Sequence, residues 1–380
     1  MPAPTPIPFN RPLFLEAGIT NVRAAYENGR VAGDGDFSRR CQGALERSLG
    51  GGKVLLTTSC TDALELSALL LNIAPGDEVV VPAFTFVSTA NAYMLRGARP
   101  VFVDIRPDTY NLDERALDAV LTPRTKAIVA VHYGGVACEM DPIMARAARH
   151  SLPVIEDNAH GLFGAYRGKP LGAWGTLAAL SFHETKNISC GEGGALVLND
   201  SRWNERANVL RDKGTDRQRF NRGETESYTW QDLGSSFLPA EILAAILWAQ
   251  LEMREQIQNR RREIHQRYLT GLGDWGRARG VQLPLIPDHC QSSYHLFALL
   301  LPTPEARSAL IRHLQERKIQ AVSHYQALNL TPMGRSLGGR PGQCPVAESV
   351  ALRLLRLPFY YGLSPADQDR VIAAVNSFPG

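Results

Sequence analysis

The sequence has no long apolar run. Nowhere do about eighteen consecutive apolar residues occur, so no membrane-spanning helix is expected. The stretch MPAPTPIPFNRP has neither a charged region nor an apolar core, which argues against a secretory signal and leads us to expect a cytoplasmic protein. Cysteine is sparse and unpatterned. The six residues, at 41, 60, 138, 190, 290 and 344, form no CxxC pair and no ligand spacing, so a reducing compartment and no metal site are expected. Excess charge is also missing: 41 Lys+Arg stand against 38 Asp+Glu, a net charge of +3. That balance offers no footprint for nucleic acid or membrane insertion, and the short basic clusters RGARP and QNRRRE read as solvated helix ends and faces.

Several phosphate and metal motifs are absent despite superficial matches. GAYRGKP has three residues between its glycines and a proline where a P-loop needs Ser or Thr, and GDGDFS lacks the third glycine of a dinucleotide fingerprint. HETKN is not HExxH. An NTPase, a Rossmann dehydrogenase and a zinc protease are therefore unsupported.

What is present is alternation. From about residue 53, KVLLT, DEVVVP, PVFVDI, KAIVAVHY, LPVIED, LAALSF and GALVLN alternate with stretches of helical spacing such as TDALELSALLLNI and EMDPIMARAARHS. Strands in this rhythm predict an α/β unit with a mostly parallel mixed sheet covered on both faces. The pattern then changes. A continuous helix is expected over about 239–271, followed by a strand in SYHLFALLL and helices in PEARSALIRHLQERK, ESVALRLLRL and PADQDRVIAAVNSF. We expect a large N-terminal unit over residues 1–250 and a smaller α+β unit over 251–380. Ligands of open α/β sheets bind beyond the strand ends, so the chemistry belongs in the polar clusters there.

Three clusters matter. TTSCTDALEL ends a strand and opens a helix at Ser59–Cys60–Thr61, which is either a plain helix cap or an anion site. EDNAH puts Asp157 at a strand end, where it either caps the next turn or pairs with a cationic ring nitrogen. SFHETK supplies Ser181 and Lys186, and a lone lysine there would be a solvated charge. Together, however, an anion turn, a strand-end aspartate and a later lysine occur in the order that a Schiff base to pyridoxal phosphate requires.

With those residues stand IPFNRP, GDGDFSRRCQ, PGDEVVVPAFTFVSTANA, VFVDIRPDTYN, VHYGGVACEMD, GEGGA, YTWQDLGSS and RLPFYYGLSP. Over nearly its whole length the chain resembles the DegT/DnrJ/EryC1/StrS sugar aminotransferases, which have the aspartate-aminotransferase fold (fold type I). The resemblance implies that Lys186 binds pyridoxal 5'-phosphate covalently and that Asp157 keeps its ring nitrogen protonated. It implies that Phe86 stacks on the ring, that His160 sits near the ring hydroxyl, and that Ser181 and the Cys60–Thr61 turn bind the phosphate. It implies a homodimer in which Ser236 stands where many relatives send an asparagine to the neighbouring subunit's phosphate. Asp34, His132, Tyr133, Asn187 and Tyr325 lie in segments bordering the substrate in relatives, and His183, Glu184 and Glu192 in or beside the lysine loop. The implied reaction is transamination of a nucleotide-linked keto sugar, leaning to dTDP-4-keto-6-deoxyglucose with L-glutamate as donor and 2-oxoglutarate as by-product. Another keto sugar, a pyridoxamine-dependent dehydratase and a non-catalytic relative are the alternatives. The dehydratase branch carries histidine where this chain has Lys186.

Overall fold

Seven strands build the main sheet of the structure, a computed structural model that describes residues 5–379. They are β1 (Lys53–Thr57), β2 (Glu78–Pro82), β3 (Arg99–Val103), β4 (Thr125–Val131), β5 (Val154–Asp157), β8 (Leu177–Ser181) and β9 (Gly194–Leu198), in the order β1-β9-β8-β5-β4-β2-β3. Two short strands, β6 (Ala165–Tyr166) and β7 (Lys169–Pro170), form a small sheet with β10 (Cys290–Gln291). In the main sheet, β9 alone runs against its neighbours. β2, β5, β8 and β9 are buried along their whole length, as expected of apolar strands covered on both faces.

The strand pleat sorts the apolar residues between two layers. Leu55, Leu177, Ala179 and Leu196 pack with the helix Cys60–Leu70, while Val54, Leu56, Ala178 and Leu180 pack with the helices Asp36–Ser48 and Glu241–Glu252. Register then decides where the polar ends fall. Val131 pairs with Asp157, Asp157 with Ala179, and Gly194 with both Ser181 and Thr57. The ends of β1, β5 and β8 thus meet the start of β9 at one edge.

A second core, with Tyr268, Leu272, Phe297, Leu299, Leu355 and Val371, joins the helices Arg254–Arg279, Pro304–Glu316 and Pro365–Asn376 to the strands β11 (Ala298–Leu300) and β12 (Leu354–Arg356). Ile7 belongs to this core too, through a parallel bridge to Ile319.

Two expectations need correction. The helix expected over 239–271 is two helices that break at Met253, where φ is −95° and ψ 9°. One packs on the sheet and the other carries the second core. ESVALRLLRL is helical only to Arg353: Leu354 turns extended, and LLR pairs antiparallel with β11. Burial of Leu354 and Leu355 in different cores overrides their helical propensity. No described helix is long and apolar enough to cross a membrane.

Candidate active site

A cavity of about 570 Å³ opens at this sheet edge, walled on the far side by residues of the second unit. At its floor the helix Cys60–Leu70 begins. Ser59 is extended (φ −156°, ψ 167°), and its side chain accepts from the Asp62 N–H at 3.0 Å while its carbonyl accepts from Ala63. Helix geometry leaves the N–H groups of Cys60 and Thr61 without internal acceptors, and both residues line the cavity. The Thr61 and Ser88 hydroxyls lie 2.8 Å apart, and Ser181 lines the same wall. Gly194 makes the turn possible: a Cβ there would stand 2.3 Å from the Ser59 carbonyl carbon and 2.4 Å from the Cys60 nitrogen. This floor is an anion cradle by its chemistry.

Asp157 ends β5 and is 5 % exposed. Its carboxylate accepts from the Thr89 hydroxyl at 2.7 Å and from the Ala159 N–H at 3.3 Å, and among the described residues no basic side chain bonds it. Burial raises its pKa, against the lowering effect of those two bonds and of Lys186. Such a carboxylate on a cavity wall is matched to a small cation.

Lys186 sits in the excursion between β8 and β9. Backbone bonds from Phe182 to Gly193 (2.8 Å) and from Cys190 to Phe182 (2.9 Å) close that loop, and Lys186 itself donates to the His183 carbonyl at 2.9 Å. Desolvation lowers its pKa from 10.5 to about 8, although Cys60 and Asp157 pull the other way. A useful fraction of the amine is therefore neutral near pH 7, and a neutral amine is a nucleophile and a base.

His160 follows Asp157 by one turn. Its Nδ1 accepts the Gly134 N–H at 3.3 Å, so Nε2 carries the proton and faces the Tyr325 hydroxyl at 3.2 Å. Its ring stacks on His295 at 4.1 Å. Burial, and then the charge of Lys186, hold His160 and His295 well below the usual imidazole pKa, so both are neutral. Phe86 lines the cavity with its ring 56 % exposed, open to a planar partner. An anion cradle, a buried carboxylate, a free aromatic face and an amine of lowered pKa in one cavity fit a phosphorylated, cationic aromatic aldehyde.

The cavity wall includes Cys60, Thr61, Phe86, Asp157, His160, Ser181, Lys186 and Tyr325, all anticipated from the sequence, together with His183 and Glu192. Six other candidates lie elsewhere. His132 points inward, its Nε2 2.9 Å from Glu156 in a fully buried pair. Tyr133 stands behind the wall with its hydroxyl 2.7 Å from His324 Nδ1. Asn187 donates to the Ser293 carbonyl at 2.7 Å and accepts from His295 at 3.0 Å, so it braces a wall residue. Asp34 is bound by Arg211 and Gln218, each at 2.6 Å. Ser236 is exposed, bridged to Asp212, and away from this cavity, as is Glu184.

Sequence reasoning missed Phe9, His295, His324, Arg356 and Phe359, all on the wall. SYHLF, SHYQALN and RLPFYYG hold four of them, but nothing local in those stretches marks a residue as facing the site.

The model of the DegT/DnrJ/EryC1/StrS aminotransferase family matches residues 15–376. Among curated proteins, the chain is 34 % identical over 377 residues to the spore coat polysaccharide biosynthesis protein SpsC of Bacillus subtilis, covering 97 % of this chain and 96 % of that one. Among solved structures it is similar to the aminotransferase TlmJ from Streptoalloteichus hindustanus, with a TM-score of 0.90, 31 % identity and 98 % of both chains covered. It is also similar to the putative sugar aminotransferase Spr1654 from Streptococcus pneumoniae, solved in PMP and PLP forms, with a TM-score of 0.91, 26 % identity and 98 % of both chains covered.

Proposed function

The chain belongs to the DegT/DnrJ/EryC1/StrS aminotransferase family, and from that membership we propose that its cavity holds pyridoxal 5'-phosphate and aminates a nucleotide-linked keto sugar. The observation that carries this is the pairing of Lys186, its pKa lowered to about 8, with buried Asp157 over the helix N-terminus at Cys60. Bound pyridoxal phosphate supplies an aldehyde that takes up amines and a pyridinium ring that accepts the electron pair left by a departing proton.

The chain's own residues do the rest. The N–H groups of Cys60 and Thr61, with the Ser181 hydroxyl, hold the phosphate, and the helix dipole favours its charge. Asp157 keeps a proton on the ring nitrogen, because an ion pair in a buried site stabilises both charges together. Phe86 would cover one face of the ring and exclude water from it, and neutral His160 would meet the ring's polar edge without adding charge. Lys186 would hold the cofactor through its amine. Its Nζ, when free, would take up the proton that leaves the donor's α-carbon, and in the sugar half-reaction it would return one to the substrate. One amine serves both directions because its pKa lies near neutrality.

We assign dTDP-4-keto-6-deoxyglucose as acceptor, dTDP-4-amino-4,6-dideoxygalactose as product and L-glutamate as donor, the last leaving as 2-oxoglutarate. We further assign a cytoplasmic homodimer in which Ser236 of each chain approaches its neighbour's cofactor. The choice of sugar rests on overall similarity to the family, and the donor, the dimer and the place of Ser236 on what that resemblance implies. The test is an absorbance titration of cofactor-loaded protein with L-glutamate and then with the keto sugar. Loss of the lysine-bound band with glutamate and its return with this sugar support the assignment. Return only with a different keto sugar would move the substrate, and a spectrum identical in Lys186→Ala would defeat the reading.

A further inference from the structure

Arg261 lies behind the cavity wall, on the helix Arg254–Arg279, and is 4 % exposed. Among the described residues only Arg211 is as deeply buried an arginine, and Arg211 has the carboxylate of Asp34 at 2.6 Å. Arg261 has no such partner among the described residues. Its Nε donates to the Tyr294 carbonyl at 2.9 Å and its Nη2 to the His295 carbonyl at 2.5 Å. The guanidinium carbon lies 4.8 Å over the Phe359 ring. Burial lowers its pKa to about 9, and no carboxylate opposes that shift. A buried cation that bonds only neutral carbonyls is destabilising by itself, so its use should be sought in the turn it holds.

That turn, residues 292–295, is strained. Tyr294 takes a φ of +54°, which a large side chain adopts only when its surroundings enforce it. Side chains hold three successive carbonyls there. The Ser293 carbonyl accepts from Asn187 Nδ2 at 2.7 Å and from Gln258 Nε2 at 3.3 Å, and Arg261 holds the next two. The backbone so fixed places His295 on the cavity wall. Its ring stacks on His160 at 4.1 Å, and its Nδ1 lies 3.0 Å from Asn187 Oδ1. The Asn187 amide hydrogens are engaged on Ser293 and Gln258, so its oxygen is the acceptor and His295 carries the Nδ1 proton. Asn187 is next to Lys186 in the chain. A path of direct contacts therefore runs from Arg261 through His295 to both His160 and the lysine loop.

We propose that Arg261 is a positioning residue: by clamping the Tyr294 and His295 carbonyls it fixes the His295 ring, and through that ring the places of His160 and of Asn187 beside Lys186. The proposal rests on the transaminase reading. In that reading Lys186 moves a proton over a short distance in both half-reactions, and such transfers lose rate steeply when the base is displaced by about an ångström. A guanidinium suits the clamp because its planar fork meets two neighbouring carbonyls at a fixed spacing, which the point charge of an ammonium does not. Arg261 is not on the cavity wall, so it acts on rate and not on substrate affinity.

A double-mutant cycle on the cofactor-loaded protein tests this. Wild type, Arg261→Met, His295→Ala and the double variant are each followed through a single turnover with L-glutamate, and their pyridoxamine forms with the keto sugar. Arg261→Met leaves an unbranched chain in place and removes the charge and both donors. Each single variant should lose about 30-fold in the rate of both half-reactions, with apparent glutamate affinity within about threefold of wild type. The double variant should be within about threefold of His295→Ala, because the two changes interrupt one path. Visible circular dichroism of the lysine-bound cofactor should change in Arg261→Met while the far-ultraviolet spectrum does not. Arg261→Lys keeps the charge and releases one carbonyl, so its rate should fall between those of wild type and Arg261→Met. It takes the place of Arg261→Met in the cycle if that variant does not fold. Three results would overturn the proposal while wild-type turnover upheld the transaminase reading: single losses that multiply to about 1000-fold in the double variant, a loss confined to substrate affinity, or wild-type rates with wild-type visible dichroism. Wild type that reacts with neither partner would defeat that reading, and the proposal with it.

Discussion

His132 Nε2 lies 2.9 Å from Glu156 Oε2, both side chains are fully buried, and Glu156 is the residue immediately before Asp157. The Cys138 N–H donates to His132 Nδ1 at 3.1 Å, so Nε2 carries the proton and donates to the carboxylate. Glu156 also accepts the N–H groups of Gly172, Trp174 and Gly175, each at 2.7 Å. Four donors converge on one carboxylate on the opposite face of β5 from Asp157. The pair thus fixes the strand that carries the site.

Glu156→Gln tests that role. The amide keeps the shape but brings two donors where only acceptors fit, so at least one buried N–H loses its partner. We expect a loss of about 2–4 kcal/mol in stability by denaturant titration. Cofactor affinity should fall as β5 relaxes. A variant as stable as wild type would remove Glu156 from the framework of the site.

Gly194→Ala probes the phosphate floor. The new methyl group would meet backbone atoms of Ser59 and Cys60 at 2.3–2.4 Å, and backbone cannot swing aside as a side-chain tip can. The first turn of the helix Cys60–Leu70 must shift. About a tenfold or greater loss of pyridoxal phosphate affinity is expected, with far-ultraviolet circular dichroism unchanged. Affinity equal to wild type would mean the phosphate sits elsewhere.

The strands and their polar ends were legible in the sequence because each is local. Apolar runs mark the strands, and Asp157, Ser181 and Lys186 stand where the runs stop. The opposite wall was not legible. His295, His324 and Arg356 lie more than a hundred residues after Lys186, and only the folding of the second unit onto the sheet edge brings them to the cavity. His132 misled in the other direction. It follows a strand end as a site residue should, yet its side chain turns inward to Glu156. The break at Met253 and the strand at Leu354 were hidden by good helical spacing, which tertiary packing overrode.

Lys186 should leave a signature in stability against pH. Its pKa is about 8 in the folded, cofactor-free protein against 10.5 ordinarily. Between those values the unfolded chain binds more protons, so stability rises with pH across that window, and below about pH 8 the full cost of the buried cation persists. Cofactor-free Lys186→Met should therefore be more stable than wild type at pH 7, by about 1–3 kcal/mol. That gap should close as the pH approaches 10. A gap that does not change with pH would show that the amine is not desolvated.

The last prediction concerns assembly. Around the segment from Arg217 to Leu233, Trp230 is 80 % and Leu233 52 % exposed, with Tyr228 and Phe220 packed ring to ring at 5.8 Å beside them. The Trp230 indole N–H donates to the Asp232 carbonyl at 2.7 Å, which fixes the ring in its outward position. A held-out aromatic patch of this kind favours burial against another protein surface. Ser236 lies three residues beyond Leu233, so the proposed reach into a neighbouring cofactor site starts from the same patch. The proposed homodimer predicts that wild type sediments as a dimer at micromolar concentrations and the double variant Trp230→Glu/Leu233→Glu as a monomer, because two carboxylates per chain would be desolvated at the contact. Its cofactor should dissociate faster, since the proposed contribution of the neighbour's Ser236 would be lost. A dimer that survives would place the interface elsewhere, and a monomer with undiminished cofactor retention would mean that each chain completes its own site.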